Sequence, residues 1–157
     1  RAFGVELIGL RYFNIYGPRQ DSAGPYAAVI PRFFAACLRG EPPVIYGDGE
    51  QSRDFTFVSD AVRANLLAAG TASAACGRSY NVASGRRVSV NQLAGIVGEV
   101  SGRRLSPRHE PARPGDIRHS LACVERAQEA LGFAPEVALP AGLGLTFADY
   151  ETQEPRP

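Results

Sequence analysis

The chain has 157 residues, 45% of them hydrophobic and 21% charged, which are ordinary values for a globular protein with a buried core. Its 17 basic residues nearly cancel its 16 acidic ones, and the net charge of +1 argues against nucleic acid or an anionic membrane surface as the main partner. Apolar runs all fall short of the ~20 residues that span a bilayer, and no segment resembles a signal peptide.

The chain contains no lysine and no methionine. Arg1 is therefore not a translation start, and the sequence is interpreted as a fragment or processed product of a longer protein. The three cysteines are far apart and form no Cys-x-x-Cys pair, so no disulfide scaffold or zinc site is indicated and a reducing cytoplasm is expected. His109 and His119 lack metal-ligand spacing and are interpreted as solvated loop residues.

Apolar periodicity, with glycine and proline at the ends of elements, predicts short strands alternating with helices. In the first half of the chain we predict a buried strand at 5–10 and then a helix that has Pro31 in its first turn and ends at Gly40. Strands at 43–46 and 55–58 follow on either side of the turn 47–49. The next helix has Ser59 as its N-cap, runs to Ala69 and is closed by Gly70. In the second half we predict a strand at 79–83 and then a helix that begins with a capping box at Ser89 and Gln92 and ends near Gly102. A polar loop at 103–118 leads to a helix at about 124–131, which Gly132 ends. A last helix has Pro140 in its first turn, and the tail at 151–157 is expected to be frayed. This is an α/β chain with too few strands for a complete doubly wound sheet.

The segment 10–20 (LRYFNIYGPRQ) directly follows the first predicted strand. In open α/β sheets, ligands bind just beyond the carboxyl ends of strands. Asn14 offers hydrogen-bond donors and an acceptor there, while Phe13 and Tyr16 offer flat apolar faces. The segment alone is equally consistent with a strand-end turn in which Asn14 caps its own backbone.

The segment 44–55 (VIYGDGEQSRDF) combines an aromatic residue and an arginine on either side of a glycine-containing turn. A flat base can stack near Tyr46, and the planar guanidinium of Arg53 can bind a phosphate. Taken alone, the segment favours a simpler interpretation, a hairpin in which Arg53 pairs with Asp54 or Asp48 at the surface.

The segment 113–116 (RPGD) places an arginine and an aspartate three residues apart on a turn that contains glycine. Arg113 could bind a diphosphate and Asp116 a ribose hydroxyl. A surface pair between an arginine and an aspartate is the commoner use of such a segment when it is considered singly.

Together, several segments in this order resemble the carboxyl-terminal part of the extended short-chain dehydrogenase/reductase family. They are RYFNIYGPRQD, PYAAVIPRF, VIYGDGEQSRDFTFVSDAVRANLLAA, YNVASG and RPGD, and the resemblance extends over nearly the whole chain. Within the family, the likeness is to NAD-dependent nucleotide-sugar 4-epimerases of the UDP-glucose and UDP-N-acetylglucosamine type. The resemblance implies an α/β fold in which residues 1–157 form the substrate-binding part of an extended Rossmann-type epimerase and lack its dinucleotide-binding half.

The resemblance also implies roles for individual residues. Phe13 would lie near the nicotinamide of NAD, and Asn14 would contact the sugar nucleotide. The uracil would lie beside a mostly apolar group that consists of Val29, Ile30, Val44, Ile45 and Tyr46. Arg53 and Arg113 would bind the diphosphate and Asp116 the ribose, which agrees with the preference of guanidinium groups for phosphates. Without the resemblance, Val29 and Ile30 would be interpreted as core residues.

The reaction that the resemblance implies is oxidation of C4 of the sugar by NAD, rotation of the ketone, and return of the hydride to its other face. It requires a glycine-rich dinucleotide loop and a Tyr-x-x-x-Lys pair. The chain has no lysine, and the spacing begun by Gly95 and Gly98 has Ser101 in its next place, within an apparent amphipathic helix. Both parts are expected upstream of Arg1, so no catalytic residue is assigned and the chain by itself is expected to be inactive.

The expected partner is a UDP-sugar, and the full-length protein is expected to be a homodimer. The alternatives are a nucleotide-sugar 4,6-dehydratase, a UDP-glucuronate decarboxylase and a non-catalytic nucleotide-sugar binding module.

Two positions depart from the family pattern, namely Ala28, where some members carry a polar substrate contact, and Cys123, where a helix-capping Asp or Ser is usual. Because the strand at 5–10 would normally pair with the missing sheet, the chain alone is expected to aggregate or dimerise.

Overall fold

A computed structural model describes residues 5–21 and 28–153, and it confirms the prediction of an α/β chain. In chain order its elements are β1 (Ile8–Tyr12), β2 (Ile15–Tyr16), α1 (Val29–Arg39), β3 (Val44–Tyr46), β4 (Ser52–Asp54), β5 (Thr56–Phe57), α2 (Val58–Gly70), a 3₁₀ turn (Ser73–Ala75), β6 (Arg78–Val82), β7 (Arg87–Ser89), α3 (Val90–Ser101), β8 (Arg108–Glu110), α4 (Glu125–Leu131) and α5 (Leu139–Gln153). Residues 25–27 of the PYAAVIPRF segment and residues 154–157 of the predicted frayed tail lie outside the described residues.

The strands join in pairs that connect distant parts of the chain. β1 pairs with β6, β2 with β5 and β3 with β8, each in parallel, while β4 pairs with β7 in the antiparallel sense. An isolated bridge adds Ser52 to His119. The predicted hairpin at 44–55 is therefore wrong, because β3 and β4 follow each other in sequence but pair with different strands.

Local signals in the sequence determine several helix ends as predicted. Pro31 lies in the first turn of α1, and Gly40, in the left-handed conformation at φ 69°, closes that helix. At α3, the Ser89 hydroxyl accepts from the backbone N–H of Gln92, and the Gln92 side chain accepts from the backbone N–H of Ser89. Gly132, also left-handed, closes α4.

The predicted start of α2 is wrong. β5 continues directly into the helix, so Phe57 is the N-cap residue and Ser59 lies inside the first turn without a capping role. The pairing of Thr56 and Phe57 with β2 sets this boundary, and it outweighs the preference of serine for the N-cap position. Gly70 is the last residue of the helix rather than a left-handed residue that closes it.

Three other segments differ from the prediction for reasons of non-local packing. The strand expected at 5–10 lies at Ile8–Tyr12 and is not buried, since the side chains of Leu7 and Tyr12 are exposed. The loop expected at 103–118 contains β8, a polar strand that forms because β3 pairs with it. Residues 151–153, expected to be frayed, continue α5.

Two apolar clusters support these elements. The first joins α1, α3 and α5, and within it Phe34 contacts the rings of Phe147 and Tyr150 at centroid distances of 5.3 and 5.5 Å. The second joins β6, α2 and α4 and includes Tyr80 and Phe133, both almost wholly buried. α3 and α5 thus pack against one side of α1, and the first turn of α1 faces β3 and β4.

An apolar stripe remains exposed on α2. Val58, Val62 and Leu66 occupy every fourth position, and they are 37%, 54% and 69% exposed. α2 packs beside β1, where the Tyr12 hydroxyl donates to the side chain of Asn65. In the described part of the chain, β1 pairs with β6 alone.

We expect the isolated chain to self-associate through this stripe and the strand edge, because exposed apolar surface and unpaired strand edges favour association. Leu66→Glu places a charge in the stripe and should lower the apparent mass measured by light scattering. Leu145→Glu is a matched control, since Leu145 is also an exposed leucine, on α5. A monomeric unsubstituted chain, or an equal effect of both substitutions, would contradict this prediction.

Candidate functional site

A cavity of about 260 Å³ lies between the first turn of α1, the strands β3 and β4, the start of β2 and the loop after β8. Nine residues that the sequence analysis assigned to substrate line it: Asn14, Val29, Ile30, Val44, Ile45, Tyr46, Arg53, Arg113 and Asp116. They come from five separate segments of the chain. The structure therefore brings together the residues that three sequence motifs and the start of α1 contribute.

One end of the cavity is apolar. Ile30 and Ile45 are each 1% exposed, and both belong to the first apolar cluster as well as to the cavity wall. The interpretation of Ile30 as a core residue and its assignment to the site are thus compatible. Ala28, one of the two departures from the family pattern, also lines the cavity and offers only a methyl group.

The other end of the cavity carries the charged groups. The guanidinium Nη2 of Arg53 lies 2.5 Å from Oδ1 of Asp116, and its Nη1 donates to the backbone carbonyl of Ser52 at 2.9 Å. The guanidinium carbon of Arg113 lies 3.7 Å from the centroid of the Tyr46 ring, which is cation–π contact. The loop after β8 thus contacts β4 through Asp116 and β3 through Arg113.

The surface pairing proposed for Arg53 does not occur. Its carboxylate partner is Asp116, 63 residues away, rather than Asp54 or Asp48. Asp48 instead makes two hydrogen bonds of 2.7 Å with Arg118. The Arg118 guanidinium lowers the pKa of the Asp48 carboxyl to about 2, with help from the backbone N–H of Glu50.

Asn14 is held by a long-range hydrogen bond. Its backbone has φ 36°, in the left-handed region, and its side-chain amide donates to the backbone carbonyl of Asp54 at 2.8 Å. The amide therefore does not cap its own turn, which was the alternative interpretation. This bond engages one of the two amide N–H groups, so Asn14 can still offer the other N–H and its amide oxygen in the cavity.

Phe13, assigned to the cofactor, does not line this cavity. It is half-buried, and its backbone N–H continues the β1–β6 pairing by donating to Val82. Gly95 and Gly98 lie inside α3, so they do not form a phosphate-binding turn between a strand and a helix. These residues do not by themselves constitute a dinucleotide site.

Sequence reasoning missed several lining residues. Arg32 and Phe33 share the face of α1 that carries Val29, a relation that helical spacing of three and four residues could have indicated. Arg32 is half-buried, and its guanidinium makes no hydrogen bond or ion pair among the described residues. Gln51 donates to the backbone carbonyl of Tyr46 at 2.7 Å and braces β3 against β4. No local pattern marks Gln51, since its role depends on the pairing of distant strands.

The comparisons with known proteins identify the family. The model of the NAD dependent epimerase/dehydratase family matches residues 1–83, more than half of the chain. The chain belongs to this family. Membership agrees with the α/β fold and with the resemblance that the sequence motifs carry.

Individual members of the NAD dependent epimerase/dehydratase family align over almost the whole chain. It is 40% identical to a UDP-glucose 4-epimerase of Mycolicibacterium smegmatis over 89% of its length, and 36% identical to a putative UDP-glucose 4-epimerase of Methanocaldococcus jannaschii over 91%. A crystal structure of UDP-glucose 4-epimerase from Thermotoga maritima with UDP-glucose covers 96% of the chain at 41% identity and a TM-score of 0.90. A UDP-N-acetylglucosamine 4-epimerase from Methanobrevibacter ruminantium, in complex with UDP-N-acetylmuramic acid, covers 98% at 41% identity and a TM-score of 0.92.

The chain spans about half the length of the relatives it matches. It covers 44% of the Mycolicibacterium smegmatis epimerase, 45% of the Methanocaldococcus jannaschii protein and 48% of each of the two solved structures. Other solved relatives, among them a UDP-glucuronic acid 4-epimerase from Bacillus cereus, are complexes with NAD.

In the described ranges, no helix is both long and apolar enough to cross a membrane. The same ranges contain no group of three or more His, Cys, Asp or Glu side chains placed to hold a metal ion.

The cavity wall also contains a buried tyrosine with an altered pKa. Tyr16 is 3% exposed, and its hydroxyl donates to the backbone carbonyl of Leu139 at 3.3 Å. Burial raises the pKa of Tyr16 well above its usual value, and the charge of Asp60 adds to the effect. Burial, together with the charges of Asp21 and Asp149, also raises the pKa of Tyr150 to about 12.

We expect stability to fall at alkaline pH. A tyrosine whose pKa is higher in the folded than in the unfolded state contributes stability that is complete below the unfolded value of about 10 and is lost as pH rises toward the folded value. Since the chain has no lysine, tyrosines and cysteines dominate the side-chain titration there. Urea denaturation from pH 8 to 11 should show this loss, and Tyr16→Phe should make it smaller. An identical dependence on pH in both proteins would contradict the assignment to Tyr16.

Proposed function

We propose that the chain is the nucleotide-sugar binding portion, residues 1–157, of an NAD-dependent UDP-sugar 4-epimerase. The observation that carries the proposal is the division of one cavity into an apolar end, built by α1 and β3, and a charged end with Arg53, Arg113 and Asp116. A nucleoside diphosphate has the same division, with a flat base at one end and phosphates at the other. Family membership and the UDP-sugars named in two of the solved relatives support this choice of ligand.

The proposed roles follow from the chemistry of each group. The base lies against Val29, Ile30 and the stretch 44–46, where apolar contact replaces water. Arg53 and Arg113 bind the diphosphate through planar, permanently charged groups that can each form paired hydrogen bonds with phosphate oxygens. Asp116 accepts hydrogen bonds from the ribose hydroxyls, and Asn14 contacts the sugar nucleotide.

Binding in this mode requires Arg53 and Asp116 to part and take new partners on the ligand. In the structure Asp116 pairs with Arg53 at 2.5 Å, and the Tyr46 ring covers the guanidinium of Arg113. A diphosphate replaces the carboxylate as the partner of Arg53, which leaves Asp116 available to the ribose. The diphosphate thus takes the place of Asp116 as the charged partner of Arg53, and the ribose hydroxyls donate to the Asp116 carboxylate.

The residues of this chain account for recognition rather than for the chemical step. NAD is proposed to bind mainly to residues of the whole protein outside this chain, with Phe13 as the contact from this side. No hydride-transfer step is assigned to the described residues.

The whole protein is proposed to lie in the cytoplasm, and the three cysteines, which are free, suit that location. It is also proposed to be a homodimer.

A decarboxylase is the second candidate, because a UDP-N-acetyl-alpha-D-glucosaminuronate decarboxylase of Bacillus cytotoxicus is 36% identical over 92% of the chain. Such an enzyme needs the same nucleotide site. Assays of the whole protein with UDP-glucose and with UDP-glucuronate separate the two activities. Binding of UDP without turnover of either sugar would favour a non-catalytic binding module.

Arg53→Ala should weaken UDP binding by about 1.5–3 kcal/mol, the range for a hydrogen bond to a charged group. Isothermal titration calorimetry of UDP into the chain measures this directly. Arg39→Ala is the matched control, because Arg39 is an exposed arginine that pairs with Glu41 at the end of α1 and does not line the cavity. Equal UDP affinity in Arg53→Ala and the unsubstituted chain would contradict the role of Arg53.

A further inference from the structure

A buried carboxylate lies directly behind the charged end of the cavity. Asp54 is 0% exposed. Its Oδ1 accepts from the backbone N–H and the hydroxyl of Ser84 at 2.8 and 2.6 Å, and its Oδ2 accepts from the backbone N–H groups of Gly85 and Ala122 at 3.0 and 3.3 Å. Four donors thus satisfy a charge that would otherwise be costly to bury.

The position of Asp54 on β4 relates this carboxylate to Arg53. Successive side chains of a strand point to opposite faces, and on β4 Ser52 and Asp54 are buried while Arg53 lines the cavity. The strand is three residues long. Any rotation or shift of β4 that released Asp54 from its donors would therefore also move the guanidinium of Arg53.

The same carboxylate anchors the segment that follows the loop at 111–116. The backbone N–H of Ser52 donates to the carbonyl of Arg118 at 2.9 Å, and the Ser52 carbonyl accepts from the backbone N–H of Ser120 at 3.0 Å. The backbone N–H of Ala122 then donates to the Asp54 side chain. This segment aligns with β4 immediately after Asp116. The backbone carbonyl of Asp54 also accepts the side-chain amide of Asn14.

We propose that Asp54 is a positioning residue that fixes Arg53 on β4 relative to the loop carrying Arg113 and Asp116, so that both arginines reach one diphosphate. This inference rests on the proposed function of the cavity. Asp54 does not line the cavity and acts only through the groups that it holds. Its charge is needed because both oxygens act as acceptors, whereas an asparagine offers one acceptor oxygen and turns an N–H₂ donor toward backbone N–H groups.

The chain contains a matched control for the loss of a buried carboxylate. Asp60 is 2% exposed and accepts from the backbone N–H groups of Glu136 and Val137 at 3.1 and 3.2 Å. It lies on α2 and does not line the cavity. Asp60→Asn therefore also puts an amide in place of a buried carboxylate, with the added loss of an ion pair to Arg63 at 3.7 Å, and it does not touch β4.

The test compares the affinities of the chain for UDP and for uridine, together with its stability to urea, in Asp54→Asn, Asp60→Asn and the unsubstituted chain. Asp54→Asn should lower the affinity for UDP about tenfold, the effect of losing one hydrogen bond to a charged group, and lower that for uridine much less, because uridine has no diphosphate for the two arginines. Asp60→Asn should lower the stability but leave the ratio of the two affinities unchanged. A merely structural role for Asp54 would leave that ratio unchanged as well, and this result would overturn the inference.

Ser84→Ala provides a milder variant if Asp54→Asn does not fold. It removes the hydroxyl bond of 2.6 Å to Asp54 and keeps both backbone donors at 84 and 85. It should lower the affinity for UDP by about threefold with little change for uridine, and an unchanged ratio of affinities would overturn the inference. Absence of UDP binding by the unsubstituted chain would instead overturn the proposed function, so the two failures are distinguishable.

Discussion

The strand β4 is the constraint on which the candidate site depends. Its three residues divide between two faces, with Ser52 and Asp54 buried and Arg53 in the cavity. The backbone of β4 pairs with β7 and with the 118–120 segment, and the buried Asp54 side chain accepts from residues 84, 85 and 122. The other face carries the guanidinium that pairs with Asp116. A short element can hold a charged group in place because hydrogen bonds from distant parts of the chain surround it.

The parts of the fold that the sequence predicts are those with local causes. Pro31, Gly40 and the capping box at Ser89 act within a few residues, and the helix ends that they predict are confirmed. The polar tripeptide of β8 has no such signal, and it is a strand because β3 pairs with it. The exposure of β1 escaped prediction for a related reason, since burial depends on what packs against the two faces of a strand rather than on the apolar run itself.

The site shows the same division between local and distant causes. The residues that the motifs assigned to substrate line one cavity, although in each motif the residues alone left another interpretation open. For Arg53, the residues alone favoured a partner on its own hairpin, and the observed partner is Asp116 because β4 and the loop after β8 meet in the fold. The hydrogen bonds of Asp54 and the bracing role of Gln51 follow from strand pairing, so no spacing in the sequence could indicate them.

The account rests on the claim that this cavity binds a nucleoside diphosphate. The most direct test is a titration of the ¹⁵N-labelled chain with UDP, followed through the shifts of its backbone amide resonances. The account predicts saturable shifts concentrated in the first turn of α1, in 44–46, at Arg53 and in 113–116. Absence of shifts at millimolar UDP, or shifts confined to residues outside the cavity, would contradict it.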